Sequence, residues 1–200
     1  MRKAILHLKK SDPVIKALIE RVGPYRLELR PADFTTLVRS IVYQQLSGKA
    51  AGTIFGRLES AVKHRLTPGA VLRLEEGEMR ALGLSRQKIS YVRDLAERTH
   101  SGEIDFAALP GLADQEIIDE LTAVKGVGVW TAQMYLIFAL GRPDVLPTAD
   151  LGVRAAIQKQ YKLAEPPKPA EMERIAEPWR PYCSVACWYL WRSLDNQAAL

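Results

Sequence analysis

Apolar residues recur at three- and four-residue intervals along almost the whole chain, and this spacing predicts helices. Ser11-Asp12-Pro13 offers a cap and an early proline; Val14, Leu18, Ile19 and Val22 follow, and Gly23 ends the run. Phe34, Leu37, Val38, Ile41, Val42 and Leu46 mark a long amphipathic helix from about Ala32. A third helix begins near Lys49 and carries Ile54, Phe55 and Leu58. Thr67-Pro68 opens one or two short helices, broken near Gly77 and ended by Gly83. Ser85 caps a helix with Ile89, Val92, Leu95 and Ala96 that ends by Gly102. Downstream, a short helix from about Ala113 buries Ile117, Ile118 and Leu121, and another runs from about Val129 to Leu140. After a proline-bearing loop, Val153, Ile157 and Tyr161 restart the period, Ala170 to Ala176 forms a short helix, and Pro181 opens the last one. Only Tyr25 to Leu29 alternates like a strand, and Arg30-Pro31 stops it, so it reads as an extended lead-in. The pattern predicts an all-α fold.

Composition narrows this little further. Of 200 residues, 48% are hydrophobic and 26% charged, which supports a packed core rather than disorder. The formal charge of +5 favours an acidic partner such as nucleic acid, but no long Lys/Arg block exists, so any phosphate-binding surface must be assembled by folding. No apolar run is long enough for a membrane span, and the start is too short in its apolar part for a secretory leader. A cytosolic protein is expected. The two cysteines, Cys183 and Cys187, share a helix face; with no ligand spacing among the three histidines, they read as buried thiols rather than a metal site.

The segment richest in chemistry is Leu121-Thr122-Ala123-Val124-Lys125-Gly126-Val127-Gly128-Val129-Trp130-Thr131-Ala132. Two glycines flank one apolar residue between two helices. They permit a tight turn and close backbone approach, while the second helix offers free N–H groups and the positive end of its dipole, a combination that suits a phosphate. A plain αα-hairpin explains the glycines equally well. Val127 is expected to point inward and pack the two helices. Asp150 precedes Leu151 as a helix cap, and a capped carboxylate is also a fixed one.

The flanking residues go beyond these local readings. Lys125-Gly126-Val127-Gly128 followed by Trp130-Thr131-Ala132 resembles the DNA-binding hairpin of the helix-hairpin-helix DNA glycosylase superfamily. The stretch from Asp144 to Val153 resembles that superfamily's aspartate loop. Tyr43-Gln44-Gln45-Leu46-Ser47 and Trp179-Arg180-Pro181-Tyr182 match as well. The nearest branch is DNA-3-methyladenine glycosylase II, in a minimal form, since the helical pattern starts almost at once where that branch often carries an N-terminal mixed α/β domain.

The resemblance implies a two-lobed helical fold with a cleft between the lobes. One lobe spans about residues 32–110; the other spans about 111–200 and takes in an N-terminal helix within 1–31. It implies a monofunctional glycosylase of base excision repair that flips out alkylated bases (3-methyladenine and 7-methylguanine foremost) and leaves an abasic site. Asp150 is the implied catalytic carboxylate. Trp130, Trp191 and Tyr182 are implied to line the base pocket, where a cationic base stacks on aromatic faces. Gly126, Gly128, Lys125, Thr131, Leu84, Ser85, Gln44 and Gln45 are implied to contact DNA, with Leu84 as the apolar plug. Backbone carbonyls of Thr122, Val124 and Val127 match a monovalent-cation site, Na+ or K+, seen in such hairpins. No other cofactor is implied, and two cysteines fall short of the iron-sulfur cluster of related members. The partner is double-stranded DNA bearing alkylated bases, met by a monomer with no membrane. Bifunctional members carry a nucleophilic lysine where Trp130 stands, so a lyase is disfavoured. A noncatalytic hairpin module that merely grips DNA is the other reading.

Overall fold

The computed structural model describes residues 1–195. Twelve α-helices are present among them: α1 (Arg2–Ser11), α2 (Pro13–Val22), α3 (Phe34–Tyr43), α4 (Gly48–Ala61), α5 (Pro68–Arg73), α6 (Glu76–Ala81), α7 (Arg86–His100), α8 (Asp114–Thr122), α9 (Val129–Phe138), α10 (Leu151–Gln160), α11 (Pro169–Ala176) and α12 (Cys183–Asp195). Most starts are dictated locally. Asp12, Asp33, Ser47, Thr67, Ser85 and Asp150 each accept a first-turn backbone N–H through the side chain. The N-terminal region holds two helices rather than one, because Asp12 adopts an extended conformation between them. The break between α5 and α6 falls at Leu74 and Glu75, not at Gly77. There the Glu78 carboxylate accepts the Glu75 N–H at 2.7 Å, and Gly77 lies inside α6.

The chain divides into two compact units. Unit 1 joins Met1–Leu29 to the chain from Leu136 onward, and unit 2 is Arg30–Tyr135. The boundary therefore lies inside α9, not near residue 110 as the resemblance implies. The reason is local to unit 2. Ile117, Leu121, Val124 and Val127 are buried, and the turn after α8 is bonded to α3 and α7 through Gln44 and Asp94.

Unit 1 packs α1, α2, α10, α11 and α12 around Leu8, Ile15, Leu18, Ile157, Trp179 and Tyr189. At its centre sits the Asp12 carboxylate, 5% exposed. One oxygen accepts the N–H of Val14 at 2.8 Å and of Ile15 at 3.0 Å; the other accepts Trp179 Nε1 at 2.8 Å and the Tyr161 hydroxyl at 2.5 Å. Burial and this acidic neighbour push the Tyr161 phenol well above its ordinary value. A second link, Gln160 Nε2 to Ser193 Oγ at 3.2 Å, ties the end of α10 to α12. Both cysteines are buried free thiols, as their spacing predicts. No helix among the described residues is long and apolar enough to cross a membrane.

Replacing Asp12 by alanine strands the Trp179 N–H and the Tyr161 hydroxyl in the core and removes the α2 cap. Asp12→Ala is expected to lower unfolding free energy by about 3 kcal/mol or more, read from urea midpoints at unchanged m-value.

Candidate active site

In unit 2 the hairpin is built on glycine and held by carboxylate. Gly126 has φ of +77°, and a Cβ there would lie 2.1 Å from ring carbons of Tyr91. Both facts demand glycine. Gly128 has neither constraint; it is exposed, with open space where a side chain would project. Val127 is 4% exposed and packs inward, as expected. The first helical hydrogen bond of α9 runs from Ala132 N to Gly128 O at 3.1 Å. The amides of Val129 and Thr131 thus stand ahead of the helical ladder, at the positive end of the dipole. Thr131 itself is 6% exposed, so its side chain belongs to the interior.

Asp94 on α7 anchors this turn. Its carboxylate is 7% exposed and accepts the Lys125 N–H at 3.0 Å, with Lys125 Nζ at 3.3 Å and Arg98 Nε at 3.1 Å. Burial works to raise its pKa, but the Lys125 amide and the two cations outweigh burial and hold it below the usual carboxylate range. Lys125, read from sequence as a phosphate contact, keeps an exposed stem but already has an acidic partner.

Gln44 proves to be a connector. Its Nε2 donates to Gly126 O at 2.9 Å, and its own carbonyl accepts Lys88 Nζ at 2.7 Å. That lysine also caps Val42 O at 2.5 Å. Next to it, Gln45 is exposed at φ +57°, a conformation costing about 1 kcal/mol or more for a residue with a side chain. Leu46 follows, 40% exposed, and Ser47 caps α4. Leu84, the expected plug, is 1% exposed and belongs to the core of unit 2. It is held there by turn geometry: Leu84 N donates to Met79 O at 3.2 Å and Arg80 donates to Leu84 O, also at 3.2 Å. Leu46 is an exposed apolar side chain of unit 2 and stands beside its strained neighbour. Its place in the helical period had marked it as core. Ser85 remains exposed but is occupied as the α7 cap. Trp130, second residue of α9, is 43% exposed.

Unit 1 carries the carboxylate. Asp150 is 8% exposed at the start of α10. Its Oδ1 accepts the Val153 N–H at 2.7 Å and the Trp191 indole N–H at 2.9 Å. Trp191 is half-buried, and its ring lies 5.5 Å from that of Phe138 at 33°. Tyr182 is placed elsewhere in the unit: its ring meets His7 of α1 edge-on at 5.4 Å. Nine residues of helix separate positions 182 and 191, about 13 Å of rise and about half a turn off phase. The structure thus brings Trp191 to Asp150 but gives Tyr182 no part in that pair. A signal for the pair was available in Gly152. A Cβ there would sit 3.1 Å from Asp150 Oδ1 and 3.1 Å from the Trp191 ring.

A family profile described as HhH-GPD superfamily base excision DNA repair protein matches residues 38–181, which hold both the hairpin and the Asp150 loop. The chain belongs to this superfamily. Among relatives within it, DNA-3-methyladenine glycosylase 1 of Schizosaccharomyces pombe is 35% identical over 199 residues, covering 96% of this chain and 87% of that protein. The Saccharomyces cerevisiae DNA-3-methyladenine glycosylase is 31% identical over 93% of this chain and 77% of its own length. Among solved structures, the Schizosaccharomyces pombe 3-methyladenine DNA glycosylase in complex with abasic DNA matches at TM-score 0.86 and 34% identity, covering 96% of this chain and 97% of that one. A Bacillus halodurans DNA-3-methyladenine glycosidase matches at TM-score 0.89 and 37% identity, covering 98% and 91%.

Two outcomes follow for the superfamily hairpin. Gly126→Ala must strain a left-handed φ and displace Tyr91, so a loss of about 2–4 kcal/mol is expected, together with weakened affinity for duplex DNA in fluorescence anisotropy. Because Asp94 has a lowered pKa when folded, its anchoring is present above the ordinary carboxylate pKa and is lost as pH falls through the folded value. Amide protection of Lys125 in hydrogen exchange is expected to fall selectively below about pH 4 in wild type, and to be low at every pH in Asp94→Asn.

Proposed function

We propose that this protein is a monofunctional DNA glycosylase that excises alkylated bases, of the 3-methyladenine and 7-methylguanine type, from double-stranded DNA. The observation that carries the reading is the Asp150 carboxylate, buried and fixed by Val153 N–H and Trp191 N–H in a chain of the base-excision superfamily. Similarity over nearly the whole of this chain to proteins named DNA-3-methyladenine glycosylase supports the substrate class.

The chemistry follows from charge. Alkylation at a ring nitrogen gives the base a positive charge, and it leaves neutral when the C1′–N bond breaks and its electron pair departs with it. Positive charge then develops on the sugar. A carboxylate fixed in advance stabilises that charge without reorganising. Water adds at C1′ and gives its proton to the carboxylate, which leaves an abasic site in an intact strand. Trp130 stands where a nucleophilic lysine would open the lyase route, and indole nitrogen is no nucleophile. Its exposed face suits a cationic ring. The hairpin amides of Val129 and Thr131 suit a phosphate, and Leu46 suits the gap left by a flipped base. The protein is read as acting as a monomer.

A monovalent cation, Na+ or K+, fits the hairpin carbonyls. Val124 O takes one hydrogen bond, from Val127 N at 3.1 Å, and the carbonyls of Thr122 and Val127 take none from the described residues. The cation would add positive charge beside the phosphate-facing amides.

Incubation with methylated duplex DNA is expected to release 3-methyladenine and 7-methylguanine. Asp150→Asn keeps the helix cap, because asparagine caps as well as aspartate, and is expected to slow release about 100- to 1,000-fold. No release by wild type, with DNA binding intact, would sink the glycosylase and favour a noncatalytic DNA grip. Borohydride trapping on abasic DNA would instead point to a lyase.

A further inference from the structure

We propose that Trp191 is a positioning residue for Asp150, acting through its indole N–H, and that Gly152 is glycine so that this hydrogen bond can form. The inference rests on the glycosylase reading and assigns a task within it that base stacking does not cover.

Two donors converge on one oxygen. Asp150 Oδ1 receives Val153 N–H at 2.7 Å from its own helix and Trp191 Nε1–H at 2.9 Å from α12, forty-one residues away in sequence. The first bond is the ordinary helix cap and fixes one oxygen near the helix axis. A carboxylate held by one cap alone can still swing about its Cβ–Cγ bond. The second donor comes from a different direction and removes that freedom. The indole is itself immobilised. Its ring packs at a tilt of 33° against that of Phe138, and α12 is tied to the far end of α10 by Gln160 and Ser193. The carboxylate orientation is therefore set by two helices, and it holds before substrate arrives.

Gly152 supplies the room. Its φ is not left-handed and no turn requires it, so backbone freedom does not explain it. A methyl group there would lie 3.1 Å from Asp150 Oδ1, 3.1 Å from Trp191 Cδ1 and 3.3 Å from Trp191 Nε1. It would wedge between the acceptor and the donor. A side chain at 152 forces the indole or the carboxylate to give by a few tenths of an ångström, which strains the hydrogen bond between them.

Stacking and positioning make opposite predictions for phenylalanine, which keeps an aromatic face and loses the N–H. The test is single-turnover release of 7-methylguanine from methylated duplex DNA by wild type, Trp191→Phe, Gly152→Ala, Asp150→Asn and the double variant Asp150→Asn/Trp191→Phe. Thermal melting checks folding of each. Expected are rates about 30- to 100-fold lower for Trp191→Phe and for Gly152→Ala, with the dissociation constant for abasic-site duplex DNA within about threefold. In the Asp150→Asn background the phenylalanine change is expected to add little, since both act through one carboxylate. Full activity in Trp191→Phe, or the same fold-loss in both backgrounds, overturns the positioning role. A second readout needs no activity: the Trp191 indole ¹H–¹⁵N resonance should move in Asp150→Ala. If it stays put, the hydrogen bond is wrong and the proposal with it. If it moves but wild type releases no alkylated base, the geometry is right, and the glycosylase reading, with the role built on it, is what fails.

Discussion

A carboxylate withdrawn from water must collect donors or lose its charge. Among the described residues three aspartates are buried, Asp12, Asp94 and Asp150, and each is answered by donors from separate parts of the sequence. Asp12 draws the residue after α10 and the segment before α12 onto the start of α2, and so fixes unit 1 around the two helices that bring Asp150 and Trp191 together. Asp94 draws the hairpin turn onto α7 and fixes unit 2. Asp150 is the third, and its donors do more than offset burial: they orient it. The same physical demand produces a clamp, an anchor and an aimed group. The difference lies in what the carboxylate holds.

In unit 2 the consequence is a hairpin that, on the proposed reading, offers a phosphate mostly backbone. A dipole end and free amides bind anions only if the turn that presents them stays put. Side chains therefore serve the turn rather than the ligand. Gly126 admits the left-handed conformation beneath Tyr91, Gln44 holds the Gly126 carbonyl, and Asp94 holds the Lys125 amide. Lys125 looks like a phosphate hook in the sequence, and in the structure it is half of a local ion pair. The modest net charge of +5 fits this arrangement, because the surface needs few free cations.

What could be read in the sequence divides along the same line. Caps are local, so Asp12, Thr67, Ser85 and Asp150 announce their helices from the residues beside them. Glu75 did not, because glutamate is a poor cap signal without its reciprocal partner Glu78, and the break was assigned to Gly77 instead. The hairpin and the Asp150 loop were legible as motifs. Their supports were not: Asp94 lies thirty-one residues from Lys125, and no spacing rule links them. The same limit separates the implied lobe boundary near residue 110 from the one inside α9, because the bonds from the hairpin turn to Gln44 and Asp94 span long stretches of sequence. Leu84, matched by resemblance to an exposed plug, is buried, whereas Leu46, placed on the apolar face of a helix, is exposed. Periodicity cannot tell an apolar residue that finishes a core from one that finishes a helix and then faces solvent. The structure separates them by exposure, and the left-handed Gln45 marks the one that protrudes.

On the proposed reading, the sparseness of the chemistry has a physical logic. A fixed negative charge near the sugar helps any departing base, but it helps most where departure is already easy. A base alkylated on a ring nitrogen leaves as a neutral molecule, whereas an ordinary base leaves as an anion unless an acid protonates it. Much of the discrimination then resides in the lesion, and the pocket need not read a particular edge. An exposed indole such as Trp130 attracts a cationic ring through its face without fixing its orientation. Precision is needed only where charge develops, at the carboxylate. There the structure spends a glycine, a helix cap and an indole N–H on a single oxygen atom. Loose recognition of the base and strict placement of the carboxylate are complementary, and together they permit one small helical protein to act on several alkylated bases.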